Sequence, residues 1–182
     1  MSIEQAIYGS DGSSGYRFLA RSRGFVEDWL GEAERLCTGF GERPPGVACP
    51  LALFVQPFRA RNVAIVRVMD AGLDSEGRPG RQTFHLLVVP RSVYLDMGGD
   101  PFLFADTFPP LWDQRGELLP LDQRKLQPER RTVAQVRAVL NVVPERTQML
   151  LGGVQILLDG GRLAFERPAP DPTLVQDLWT LL

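Results

Sequence analysis

Residues 63–90 read VAIVRVMDAGLDSEGRPGRQTFHLLVVP. Two apolar runs, Val63–Met69 and Thr83–Val89, flank a segment with three glycines and a proline, Asp70–Arg81. Valine, isoleucine and phenylalanine suit a pleated surface, so the runs read as two strands joined by a long hairpin-like loop. The second run, FHLLVV, is apolar at nearly every position, as a strand covered on both faces would be. It also holds His85, the single histidine of the chain.

Working outward toward the N-terminus, Ile3–Tyr8 and Tyr16–Ala20 are short strands around the turn GSDGSSG at 9–15. Phe25–Cys37 is an amphipathic helix, with Phe25, Trp29, Leu30, Ala33, Leu36 and Cys37 on one stripe. Glu27 and Asp28 open it and Arg35 lies near its end, each favourable to the helix dipole. Ser22 or Gly24 is placed to cap its start, and Gly39 to close it in the left-handed conformation. Gly39–Pro50 is a loop, and Leu51–Val55 a strand stopped by Pro57.

Toward the C-terminus, Arg91–Met97 is a helical turn. Gly98–Pro128 scatters aromatics among five prolines, which predicts an irregular segment pinned down by its rings. Thr132 and Gln135 match a capping box at the start of a helix over 132–142. Glu145 to Leu158 reads as helix, with a short strand over Leu163–Phe165; a hairpin around Asp159–Gly161 is the alternative. Asp171 and Pro172 open a last helix, with Leu174, Val175, Leu178, Leu181 and Leu182 on its stripe. The chain stops inside that helix, the pattern expected of the N-terminal part of a longer polypeptide.

The fold class is therefore α/β, with α+β as the alternative. The expected core is a mixed sheet whose central strand pair spans residues 63–69 and 83–89, packed against amphipathic helices. At 182 residues, the chain 1–182 is read as a single domain. Its net charge of −2 gives no field that would gather nucleic acid or an anionic membrane. Lys125 is the one lysine among 20 cationic residues. The opening lacks a secretory pattern and Cys37 and Cys49 make no disulfide framework, so a cytoplasmic protein is expected.

Tests for chemistry return little. One histidine and two cysteines supply no zinc set, and no cofactor is expected. The glycine turn at 9–15 lacks the lysine of a phosphate loop, and no G-x-S-x-G elbow exists. Arg59/Arg61 and Arg130/Arg131 lack stacking aromatics, which argues against nucleic acid. No catalytic residue is assigned. A lone histidine in an apolar strand reads as a buried structural group; the enzymatic alternative is a hydrolase using His85 as general base.

Several short motifs carry a resemblance. Tyr8, Gly15-Tyr16-Arg17-Phe18, Ala20, Ser22 and Gly24-Phe25 form a tyrosine-ended strand, a glycine turn and a strand-to-helix entry. Asp74, Gly77-Arg78-Pro79-Gly80, Phe84-His85 and Leu87-Val88 follow, and Asp177-Leu178-Trp179 with Leu181-Leu182 closes the chain. Together they resemble the N-terminal domain of bacterial GTPase-associated protein 1. Arg23 stands where that family has proline, and Arg81 where it has asparagine. The resemblance implies a non-enzymatic adaptor of a bacterial GTPase-associated system. Its partners would be proteins, including a small GTPase or its associated modules. It assigns no chemistry to a side chain; the binding candidates are Tyr8, Arg78, His85 and Trp179.

Overall fold

The structure is a computed structural model. It describes residues 2–11, 15–40, 51–73, 77, 80–128, 132–164 and 171–182. The chain forms two compact units, Met1–Pro128 and Glu129–Leu182.

The first unit is an α/β fold on a mixed sheet. Its strands are β1 (Ser2–Ser10), β2 (Tyr16–Ser22), β3 (Leu51–Phe58), β4 (Asn62–Asp70), β5 (Gln82–Pro90), β6 (Gly116–Leu118) and β7 (Leu121–Asp122). The order is β3-β4-β5-β1-β2-β6, and β7 pairs with Ser2 and Ile3 of β1. The β2–β6 pair is parallel and the other pairs are antiparallel. The strand pair expected from residues 63–90 is present as β4 and β5, in register Val66↔Leu86. Here β5 lies between β4 and β1, which is why its sequence is apolar on both parities.

Alternation sorts the two faces. Ala6, Tyr8, Ala64, Val66, Val68, Phe84, Leu86 and Val88 point to one side, where they meet Phe25, Ala33 and Cys37 of the α1 (Glu27–Thr38) region. Ile3, Val63, Ile65, Leu87 and Val89 point to the other. That face is covered by Val93 of α2 (Arg91–Asp96), Phe104 of α3 (Pro101–Thr107), Phe108 and Leu126.

Four expectations are corrected in this unit. Strand β3 runs through Pro57 to Phe58; it is the sheet edge, where a residue without an N–H is tolerated. The N-cap of α1 is Val26, with no side-chain cap, because the Ser22 hydroxyl is used elsewhere. Gly39 is right-handed, with φ −73°. It is a glycine for a different reason: a Cβ there would lie 2.9 Å from the Arg35 carbonyl oxygen. The segment after Gly98 is more regular than its prolines suggest. Asp100 caps α3 through the Phe102 N–H with Pro101 in the first turn, and residues 116–118 and 121–122 are strands. In the 70–81 loop Gly80 has φ 109°, a backbone conformation that favours glycine; Asp74, Arg78 and Pro79 fall outside the described residues.

The second unit is helical: α4 (Val133–Leu140), α5 (Pro144–Leu158) and α6 (Pro172–Leu181). The Thr132–Gln135 capping box is present in both directions, and Asp171 caps α6 through the Leu174 N–H. Leu150, Leu174 and Leu178 form the core, flanked by Val139, Met149, Val154, Leu163 and Leu181. Leu163 and Ala164 form no strand; Leu163 packs on the helices instead, and Phe165 falls outside the described residues. The α6 stripe is narrower than expected. Val175 and Leu182 are 43% and 46% exposed, leaving 174, 178 and 181 on the packed side.

Candidate functional site

Three polar side chains interrupt the covered face of the sheet. Arg67 on β4 stands opposite His85 on β5, and His85 opposite Ile7 on β1; Gln5 lies one pleat along from Ile7 on the same side. All three are buried, His85 at 0% exposure. Arg67 Nη2 lies 2.8 Å from His85 Nδ1, and His85 Nε2 lies 2.8 Å from Gln5 Oε1.

The protons follow from the donor inventory. A guanidinium only donates, so Nδ1 accepts and the ring proton sits on Nε2. That proton goes to Gln5 Oε1, which turns the Gln5 amide nitrogen to the Leu119 carbonyl, 2.7 Å away. Arg67 Nη1 donates to the carbonyls of Ala105 at 3.0 Å and Phe108 at 2.5 Å. From Arg67 Nη2 the donors thus run one way, through His85 and Gln5 to the Leu119 carbonyl, while Nη1 serves the Ala105 and Phe108 carbonyls. Three of the acceptors are carbonyls in the segment over the sheet, so the row ties that segment down. Among the described residues Arg67 Nε has no hydrogen-bond partner.

Burial, and secondarily the Arg67 charge, brings the His85 pKa down to about 3. Burial lowers Arg67 to about 10, against the pull of Asp106, so it stays cationic at neutral pH. A neutral imidazole with both nitrogens engaged and no exposed surface has no free lone pair to offer a substrate.

A second arrangement adjoins the first. The Gln5 N–H donates to Ser22 Oγ at 2.9 Å, and Ser22 Oγ donates to Glu4 Oε2 at 2.6 Å. The Gly24 N–H reaches the same carboxylate oxygen at 3.1 Å. A Cβ on Gly24 would lie 2.5 Å from the Glu4 carboxyl carbon, so a larger residue would push the Glu4 carboxylate off this turn. This turn delivers the chain from β2 into α1. Beside it opens a groove of about 720 Å³, bounded by Phe18, Arg21, Arg23, Phe25, Glu27 and Glu117 among others. Arg21 and Glu27 form an ion pair there.

Of the sequence candidates, Tyr8 and His85 do not converge. Tyr8 is 2% exposed but projects from the opposite face of the sheet to His85. Its hydroxyl donates to Glu34 at 3.1 Å, and burial, then the Glu34 carboxylate, pushes its pKa far up. The ring lies among Tyr16, Phe18 and Phe84, so Tyr8 is a packing residue. Cys37 is buried beside it, its thiol also pushed up by burial. Arg78 falls outside the described residues. Trp179 belongs to the second unit, half-buried on α6. Sequence reading missed Glu4, Gln5 and Arg67. The available signal was a lone arginine in VAIVRVM and a lone glutamine in an apolar strand, each demanding a buried partner.

Among the described residues no group of three or more His, Cys, Asp or Glu is placed to hold a metal ion. Nor is any helix among them long and apolar enough to cross a membrane. A family model described as GTPase-associated protein 1, N-terminal domain type 2, matches residues 2–124. That span lies within the first unit, so the motif at 177–182 is outside it. No curated protein and no solved structure matches the chain.

Proposed function

The chain belongs to the family of GTPase-associated protein 1, N-terminal domain type 2, and on that premise we propose that it is a non-enzymatic, cytoplasmic adaptor domain of a bacterial GTPase-associated system. Its partner is a protein, either a small GTPase or a module that acts with one, and neither nucleic acid nor a membrane. The observation that carries the reading is the state of His85. The residue that a hydrolase would need as base is fully buried, with both nitrogens bonded to Arg67 and Gln5. The groove beside β2 supports the same reading. Phe18 and Phe25 give it apolar substance, while Arg21, Arg23, Glu27 and Glu117 supply both signs of charge. A polypeptide surface meets that mixture better than a polyanion does.

Isothermal titration of the purified chain with small GTPases of its host, loaded with GDP or a GTP analogue, tests the proposal. Binding in at least one nucleotide state is expected. His85→Gln should leave the affinity unchanged, whereas Val26→Asp, at a half-exposed position on the groove, should weaken it by about tenfold or more. Absence of binding to every GTPase, or substrate turnover abolished by His85→Gln in a folded protein, would overturn it.

A further inference from the structure

The groove beside β2 has walls of unequal strength. One is β2 with its turn into α1, which supplies Phe18, Arg21, Phe25 and Glu27; the other is β6, which supplies Gly116 and Glu117. Strand β6 has three residues and meets β2 through the pairs Ala20↔Gly116, Arg21↔Glu117 and Ser22↔Leu118. That pairing is parallel, the slightly less stable arrangement per residue. It ends the strand order, and among the described residues no strand pairs with the outer side of β6. Leu118 is buried, whereas Gly116 and Glu117 are exposed. So short a ladder fixes a wall poorly without a further fastening.

Gln5 supplies one. It lies on β1, with β2 between it and β6. Its backbone N–H donates to Ser22 Oγ on β2 at 2.9 Å. Its side chain crosses β2 on the covered face of the sheet. There Nε2 donates at 2.7 Å to the carbonyl of Leu119, the residue directly after β6. One residue therefore holds both walls. The orientation of its amide is fixed from behind: the His85 Nε2 proton takes Oε1, which leaves the Gln5 nitrogen for Leu119. Arg67 in turn fixes which ring nitrogen carries that proton. The buried row thus ends at the groove, although Gln5, at 2% exposure, lies too deep to meet a partner itself.

We propose that Gln5 is a positioning residue of the groove: its amide sets the place of β6 against β2, and with it the shape that a partner meets. The proposal rests on the groove being the partner site, and its test separates the two. His85→Gln would keep a donor to Oε1, so the informative variant is Gln5→Met, which has similar volume and removes both side-chain hydrogen bonds. The full chain and this variant are compared by NMR amide exchange and by titration with the GTPases of the host. In wild type one Gln5 side-chain amide proton should be protected from exchange, a result that needs no variant to fold. In Gln5→Met the protected amides of residues 116–119 should exchange about tenfold or more faster, while those of Val66 and Leu86 in the central strands keep their rates. Affinity for a GTPase should fall about tenfold without loss of a contact residue. A Gln5 side-chain amide with no protection would overturn the proposal. So would wild-type rates at 116–119 in the variant, acceleration spread equally over β4 and β5, or unchanged affinity beside faster exchange. A wild type that binds no GTPase would overturn the adaptor reading alone, and the exchange rates would then decide the role of Gln5.

Discussion

Replacing Arg67 with methionine should cost the first unit about 3–5 kcal/mol, the range expected when one member of a buried charged network is removed. The guanidinium serves three acceptors: the buried Phe108 carbonyl and His85 Nδ1, and the part-buried Ala105 carbonyl. Each acceptor left dry costs about 1–3 kcal/mol, so the loss of all three outweighs the saving from no longer desolvating one cation. Methionine fills similar volume, which keeps a cavity from adding to the result. The damage should be local first. Amide exchange should quicken through residues 101–119, the segment held by Ala105, Phe108 and Leu119. Urea denaturation at neutral pH gives the total, and hydrogen exchange gives the place. A cost below about 1 kcal/mol, or protection at 101–119 equal to wild type, would refute the idea that this row fastens the covering segment. The double variant Arg67→Met/His85→Leu should be less damaging than the sum of its singles, because the pair shares one hydrogen bond.

Acid sensitivity follows from the same residue. The folded pKa of His85, about 3, lies below its ordinary 6.5, so its contribution is complete above pH 6.5 and is lost as pH falls toward 3. At pH 4.5 wild type should have lost about 2.7 kcal/mol through this group, two pH units at 1.36 kcal/mol each. Glutamine at 85 can still accept from Arg67 and donate to Gln5 without titrating, so the stability gap between wild type and His85→Gln should move by that amount between pH 7 and 4.5. A gap that stays constant would contradict the burial argument. In the second unit, Leu178→Ala should cost about 2–5 kcal/mol, since Leu178 is 4% exposed against Leu150 and Leu174. Val175→Ala, on the exposed side of α6, should change the melting temperature little, and equal effects at the two positions would show that α6 is docked by a different face.

The parts of the fold legible in the sequence were those set by local periodicity. Strands β4 and β5 announced themselves as apolar runs, and α6 through Asp171-Pro172 and its leucines. The misses have physical causes. Pro57 was read as a stop because only the topology reveals that β3 is an edge. Asp100-Pro101 carried the same capping signal as Asp171-Pro172, but the surrounding prolines of 98–128 obscured it. Gly39 and Gly24 were assigned to helix ends. At Gly39 a Cβ would crowd the Arg35 carbonyl in the helix's own last turn, and at Gly24 it would displace the Glu4 carboxylate, a tertiary approach that local sequence does not show. The polar row was half legible. His85 was expected to be buried, yet its partners lie 18 and 80 residues away in sequence, and register alone brings them together. Tyr8 pairs with Phe84, the neighbour of His85, yet the pleat sends Tyr8 and His85 to opposite faces.

Whether His85 is a structural node or a base can be read directly from its ring nitrogens. In a sample with ¹⁵N-labelled histidine, two-dimensional NMR reports one imidazole, since the chain holds one histidine. A neutral ring protonated on Nε2, unchanged from pH 8 down to at least pH 5, is the result expected of a buried group donating to Gln5 and accepting from Arg67. A ring that titrates near pH 6.5, or that carries its proton on Nδ1, would contradict it and return His85 to the list of catalytic bases.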